Sequence, residues 1–236
     1  TSFEIPSKIN EKGNSLDTNG TSSANTTDFI IEKGNYLVSK PYTFSSDKNV
    51  IILPGVQFTF KDSGKFIFCN TVKFQGTQEQ PIIIDSDKVT NRRCIESYLS
   101  QNQIVSMKNV INLGGQKDWL IYQNGGRFYA ADCLFKQGEK FCVFNDVNLD
   151  IRNTVFETFQ STSISLSNCE AQLSQVSFVN CDNGMIEANL SSLKIKALEC
   201  SGNRAIIFHN TGFVEGPEDD MLFCELGSSV RKVEVK

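Results

Sequence analysis

The chain has 236 residues, 39% of them hydrophobic, with 23 basic and 27 acidic side chains and a formal net charge of −4. Charges of both signs are mixed along the sequence, which argues against a nucleic-acid groove or a strongly basic membrane face, and no apolar run approaches the ~18 residues that span a bilayer. A single His and eight Cys without any Cys-x-x-Cys pair argue against a zinc site, so no metal and no cofactor are expected.

Residues 1 to 28 are rich in Ser, Thr, Asn, Asp and Gly without periodicity and read as a polar lead or linker; residues 29 to 236 read as one domain. We read the chain as an excised part of a larger polypeptide. From Phe29 short runs alternate with period two: Phe29 and Ile31, Tyr36 and Val38, Val50 and Ile52, Val56 with Phe58 and Phe60, Phe66 and Phe68, Val72 and Phe74, Ile82 and Ile84. Turn residues separate them, as in Lys33-Gly34-Asn35, Pro54-Gly55, Asp62-Ser63-Gly64 and Gly76-Thr77, so each run predicts a strand. Residues 86 to 104 are the irregular interval, with a weak helical stripe from Arg93 to Leu99, and are long enough to form a loop over the first sheet.

From residue 107 onward the apolar positions repeat every 21 to 22 residues. Met107, Phe128, Leu149, Ala171 and Leu193 form one row; Ala130, Ile151, Leu173 and Ile195 form the row two residues on. A period of that size with alternation inside each strand predicts a solenoid, whose coils stack because none buries its apolar face alone. Eighteen Phe against one Trp and five Tyr fit core filling better than a polar-tipped binding surface. Cys133 falls in the row of Thr154, Val176 and Leu198, and Cys200 ends the row Phe135, Phe156, Phe178. These thiols are expected to be buried and mostly reduced.

Leu53-Pro54-Gly55-Val56 and Gly76-Thr77-Gln78-Glu79-Gln80-Pro81-Ile82 resemble the opening coils of right-handed parallel β-helix proteins of the pectate-lyase-like superfamily, of the bacterial cell-surface or extracellular type. Asn153-Thr154-Val155-Phe156 and Gln175-Val176-Ser177-Phe178-Val179-Asn180-Cys181 are similar to later coils of the same superfamily. The resemblance covers about residues 29 to 210. It implies an all-β, single-stranded right-handed parallel β-helix of about seven or eight coils, located outside the cell or on its surface. Leu222 to Val235 is expected to cap the open end.

Alternation places outward residues between the inward rows. The first sheet then shows Lys108, Tyr129, Asp150, Gln172 and Lys194 in one column and Val110, Ala131, Arg152, Ser174 and Lys196 in the next. A second strand per coil places Val143, Ile164, Ile186 and Phe208 inside, with Phe144, Ser165, Glu187 and His209 outside; a third leaves Leu134, Val155, Ser177 and Glu199 outside. Tyr129, Asp150, Arg152, Lys194 and Lys196 are thus ligand-binding candidates, a polar platform for an acidic sugar with Tyr129 as stacking ring. Arg92 and Arg93 join them if the irregular interval folds over that sheet. Glu187 and His209, one coil apart, are a candidate acid/base pair weighed against an ordinary surface ion pair.

A glycoside hydrolase needs two or three carboxylates that converge, whereas Asp150 and Glu187 fall on different sheets. Glu215, Glu218, Asp219 and Asp220 lie on a loop without regular ligand spacing and read as solvated. Asn-x-Ser/Thr triplets at Asn19, Asn25 and Asn189 are of a kind that arises often by chance. The coils beyond residue 107 keep a nearly constant length and offer no insertion to wall a groove. The sequence therefore points to a non-catalytic module that binds carbohydrate or protein, or a scaffold in a larger protein, with a lyase or hydrolase of acidic polysaccharide as the competing reading.

Overall fold

A computed structural model of the chain describes residues 3–4, 27–89, 93–161, 163–181, 186–201, 206–208, 213–215, 224–226 and 232–233. Within them the chain forms an all-β solenoid of about seven turns with every strand pair parallel. Twenty-two strands belong to one continuous hydrogen-bonded sheet that wraps around three faces. Face I stacks Thr27–Ile31, Lys48–Ile52, Val72–Gln75, Ile104–Lys108 and Arg127–Ala131, then the first halves of Asn148–Phe159, Glu170–Val179 and Ser192–Ser201. Face II stacks Gly34–Val38, Val56–Asp62, Ile82–Val89, Val110–Asn112, the start of Leu134–Asn145 and the second halves of the three long strands. Face III stacks Pro41–Phe44, Lys65–Phe68, Arg93–Tyr98, Gln116–Asn124, the end of Leu134–Asn145, Ile164–Ser167 and Ile186–Asn189.

The inward rows explain why these segments are strands that stay in register. A slip by one residue would turn every Phe, Ile and Val outward. Phe135, Phe156 and Phe178 stack face to face in adjacent coils, with centroids 5.5 and 5.1 Å apart. Phe44, Phe58, Phe60, Phe66 and Phe68 fill the first coils with a mixture of edge and stacked contacts. Every one of these rings is buried, and each contributes on the order of 1.5–3 kcal/mol relative to exposure.

Three seams join the faces, and each is turned by a residue with a left-handed backbone. The I–II seam carries Asn109, Asp132, Asn153, Gln175 and Ala197; the III–I seam carries Gly125, Asp146, Asn168 and Leu190. At Gly125 a Cβ would run into the Leu99 carbonyl, so only glycine fits there. Directly after a seam the chain repeatedly places a small side chain whose hydrogen returns to the carbonyl two residues back. Cys133 donates to Ala131 at 3.2 Å, Thr154 to Arg152 at 2.8 Å, Cys169 to Ser167 at 3.3 Å, Cys181 to Val179 at 3.7 Å and Ser191 to Asn189 at 2.8 Å. Cys133 is thus buried as expected, and Cys69, Cys94, Cys133, Cys142, Cys169 and Cys181 are all free thiols.

The register corrects four expectations. Val105, not Met107, sits in the row of Phe128, because this coil is 23 residues long; Met107 pairs with Ala130 and Lys108 with Ala131. Val110 accordingly turns inward beside Ile82 at the start of face II. On face III, Cys142 and Phe144 point inward beside Ile164 and Leu166, while Val143 joins the outward column of Ser165 and Glu187. Finally, Arg93–Tyr98 is neither helical nor a loop over face I: it is a strand of face III, paired with Lys65–Phe68 on one side and Gln116–Asn124 on the other. At the C-terminal end, Cys224–Leu226 pairs with Ile206–Phe208 and Lys232–Val233 with Val214 and Glu215, which extends the parallel ladder.

Candidate functional site: an aromatic and cationic surface on face III

In three successive coils face III begins with two consecutive inward residues, Cys94-Ile95, Leu120-Ile121 and Phe141-Cys142. Doubling the inward step brings the side chains before and after it to the same surface. Arg93, Trp119 and Lys140 form one outward column, and Glu96, Tyr122 and Val143 the next, with Tyr98 beyond. The Arg93 guanidinium lies 4.0 Å from the centroid of Tyr122 and 5.5 Å from that of Trp119; the Lys140 ammonium is 5.3 Å from Trp119. The Tyr98 and Tyr122 rings tilt against each other at 6.0 Å.

Polar groups hold the tips of the two tyrosine rings. Asn145 donates from Nδ2 to the Tyr122 hydroxyl at 3.3 Å, and the Tyr98 hydroxyl donates to Glu96 Oε2 at 3.3 Å. Glu96 is only 8% exposed and takes Lys65 Nζ on its other oxygen at 3.0 Å. Burial, and then the neighbouring Glu96 charge, push the Tyr98 phenol above its ordinary value, so the phenol is protonated and stays a donor at neutral pH.

The candidates on face I are only partly brought together. Arg152 grips Asp150 through Nε at 2.8 Å and Nη2 at 2.5 Å, with its guanidinium 6.0 Å from the Tyr129 ring. Lys194 and Lys196 stand two coils further on, beyond Gln172 and Ser174. The Asp150 carboxylate is thereby committed to Arg152. Arg93 lies on face III, so it does not approach Asp150 and Lys194 on face I. Glu187 is on the outward column of face III; Arg92, His209, Glu218, Asp219 and Asp220 lie outside the described residues, as does the side chain of Glu215. Among the described residues, no three His, Cys, Asp or Glu side chains converge as a metal site would require.

Trp119, Tyr122, Tyr98, Glu96, Lys65 and Lys140 escape sequence reasoning. Their columns cross the long coils: Phe66 to Ile95 is 29 residues and Ile95 to Ile121 is 26, which breaks the 21-to-22-residue frame. One signal was present, since the single Trp and Lys140 are 21 residues apart. Compared with known proteins, the chain matches no family model, no curated protein and no solved structure.

Proposed function

We propose that the chain is a non-catalytic β-helix module of an extracellular or cell-surface protein, and that it binds carbohydrate on face III. The observation that carries this reading is the grouping of Trp119, Tyr122 and Tyr98 on one rigid surface, each beside a hydrogen-bonding or charged group. A pyranose ring offers an apolar face and a rim of hydroxyls, and amphipathic aromatics flanked by Glu96, Asn145 and Arg93 match both. The superfamily resemblance of the Pro54-Gly55-Val56 and Gly76-Thr77 turns agrees with a location where polysaccharide is met.

The placement of carboxylates favours binding over hydrolysis. Two catalytic carboxyl groups stand about 5–9.5 Å apart. Glu96 shares its column with Glu187, but four coil steps separate them, on the order of 19 Å. Asp150 belongs to another face.

Affinity electrophoresis of the whole chain through gels containing single polysaccharides tests the proposal. Trp119→Ala and Tyr98→Ala are expected to weaken retardation at least tenfold while Arg152→Ala and Lys196→Ala leave it unchanged. Equal loss in the face I variants would move the site to face I. Release of reducing ends or unsaturated uronates would replace the binding reading with an enzyme.

A further inference from the structure

We propose that Arg93 is the specificity-determining residue of this surface, and that it reads an anionic oxygen group, a carboxylate or a sulfate ester, carried on the sugar chain. The inference rests on the carbohydrate reading of face III and adds the charge of the ligand to it.

Arg93 differs from the other arginine at a candidate surface. Arg152 is engaged edge-on by Asp150 in two hydrogen bonds. Arg93 instead lies over two aromatic rings, 4.0 Å from the Tyr122 centroid and 5.5 Å from that of Trp119. A guanidinium stacked in this way keeps its N–H groups along the edge of the plane, where they form a fork that matches two oxygens of a carboxylate or sulfate. The rings fix the fork before the ligand arrives. Side-chain entropy that a free Arg would lose on binding is already spent in the fold. Tyr122 is in turn held by Asn145, so the support beneath the guanidinium is itself positioned.

The surroundings agree in sign. Lys140 occupies the same column two coil steps away, ~10 Å along the surface, and both cations lie within 5.5 Å of the Trp119 ring centroid. Glu96 does not neutralise Arg93 in this arrangement, because its oxygens are engaged by Lys65 and Tyr98. A chain lying along the column would place a sugar against Trp119 and an acidic substituent against Arg93.

Two matched pairs of probes separate the possibilities: polygalacturonate against its methyl ester, and dextran sulfate against dextran. Each is measured with the wild-type chain, Arg93→Ala, Arg93→Lys and Trp119→Ala, with circular dichroism to confirm the fold of each variant. The wild type is expected to bind at least one anionic polymer ten or more times tighter than its neutral counterpart, with affinity falling as salt rises. Preference for only one pair would identify carboxylate or sulfate as the group read. Arg93→Ala is expected to abolish the preference, and Arg93→Lys to restore a part of it, since the charge returns without the fork. If neutral and anionic forms bind alike and Trp119→Ala weakens both, the carbohydrate module stands and the role of Arg93 falls. Preference that persists in Arg93→Ala also overturns that role. Binding to none of the four polymers overturns both readings.

Discussion

Asn153 lies one coil beyond Asp132 and donates from Nδ2 to the Asp132 carboxylate at 2.6 Å, while both residues hold a left-handed backbone. The same bond joins Asn168 to Asp146 at the III–I seam, where both residues are also left-handed. A seam residue of this kind does two things: it accepts a backbone conformation that most side chains avoid, and it ties its coil to the next. Asn153→Ala loses both and is expected to cost about 1–2 kcal/mol in urea unfolding; Asn153→Gly loses only the bond and is expected to cost less. Equal cost for the two would show that the backbone conformation contributes nothing.

Thr158 has φ of 62°, a region in which a β-branched side chain is strained, and it is exposed. Thr158→Asn keeps a polar surface residue and relieves that strain. We expect it to stabilise the chain by about 1 kcal/mol and to raise Tm, in contrast to most single substitutions. A lowered Tm would mean that the Thr158 side chain makes a contribution larger than its strain.

The buried thiols set an alkaline limit on stability. Burial pushes the Cys94 and Cys133 thiols up to about 12, and Cys142 well above its ordinary value. In the unfolded chain they ionise near 9.0. Above 9.0 the unfolded state has released protons that the folded state retains, so stability is full below 9.0 and falls as pH rises, the contributions of Cys94 and Cys133 levelling off near 12. Urea titrations across this range are expected to show a shallower fall for Cys133→Thr. At pH 8 the same thiols are expected to resist alkylation in the native state, whereas Cys69, which is only partly buried, reacts first among the six described cysteines.

Tyr98 reports on its carboxylate neighbour. Its phenol is raised from 10.0 by burial first and then by Glu96, whose negative charge opposes a phenolate and whose Oε2 accepts the phenol hydrogen. Glu96→Gln removes the charge and keeps the shape. Ultraviolet titration of the phenolate is expected to shift downward, toward 10.0 but not to it, because burial remains. An unchanged titration would separate Tyr98 from Glu96.

The later coils were legible in the sequence because Leu149, Ala171 and Leu193 are spaced by a constant 22 residues and the seam residues Asn153, Gln175 and Ala197 recur at the same spacing. The row from Ile151 to Ile195, the Phe column and the outward column Leu134, Val155, Ser177, Glu199 all follow from that frame. Where coil length changes, the frame fails. Two extra residues between Val105 and Phe128 shifted Met107, Lys108 and Val110 by one row. Phe144 was misplaced for a different reason: Phe141 and Cys142 are both inward at the seam, and strict alternation carried across them inverts the strand that follows. The aromatic surface was hidden by both effects at once, since Arg93, Trp119 and Tyr122 lie in the two longest coils and flank doubled inward steps, Arg93 and Trp119 directly before them and Tyr122 directly after.

The parallel ladder has a mechanical consequence. Each coil is bonded to the coil before it and the coil after it, with contacts such as Phe135 to Phe156 and Phe156 to Phe178 confined to neighbours. Tension that enters at one terminus therefore meets a series of small, similar locks in place of one large barrier. A chain pulled from its ends would pay out about one coil at a time, lengthening under force while the coils not yet reached keep their surface intact.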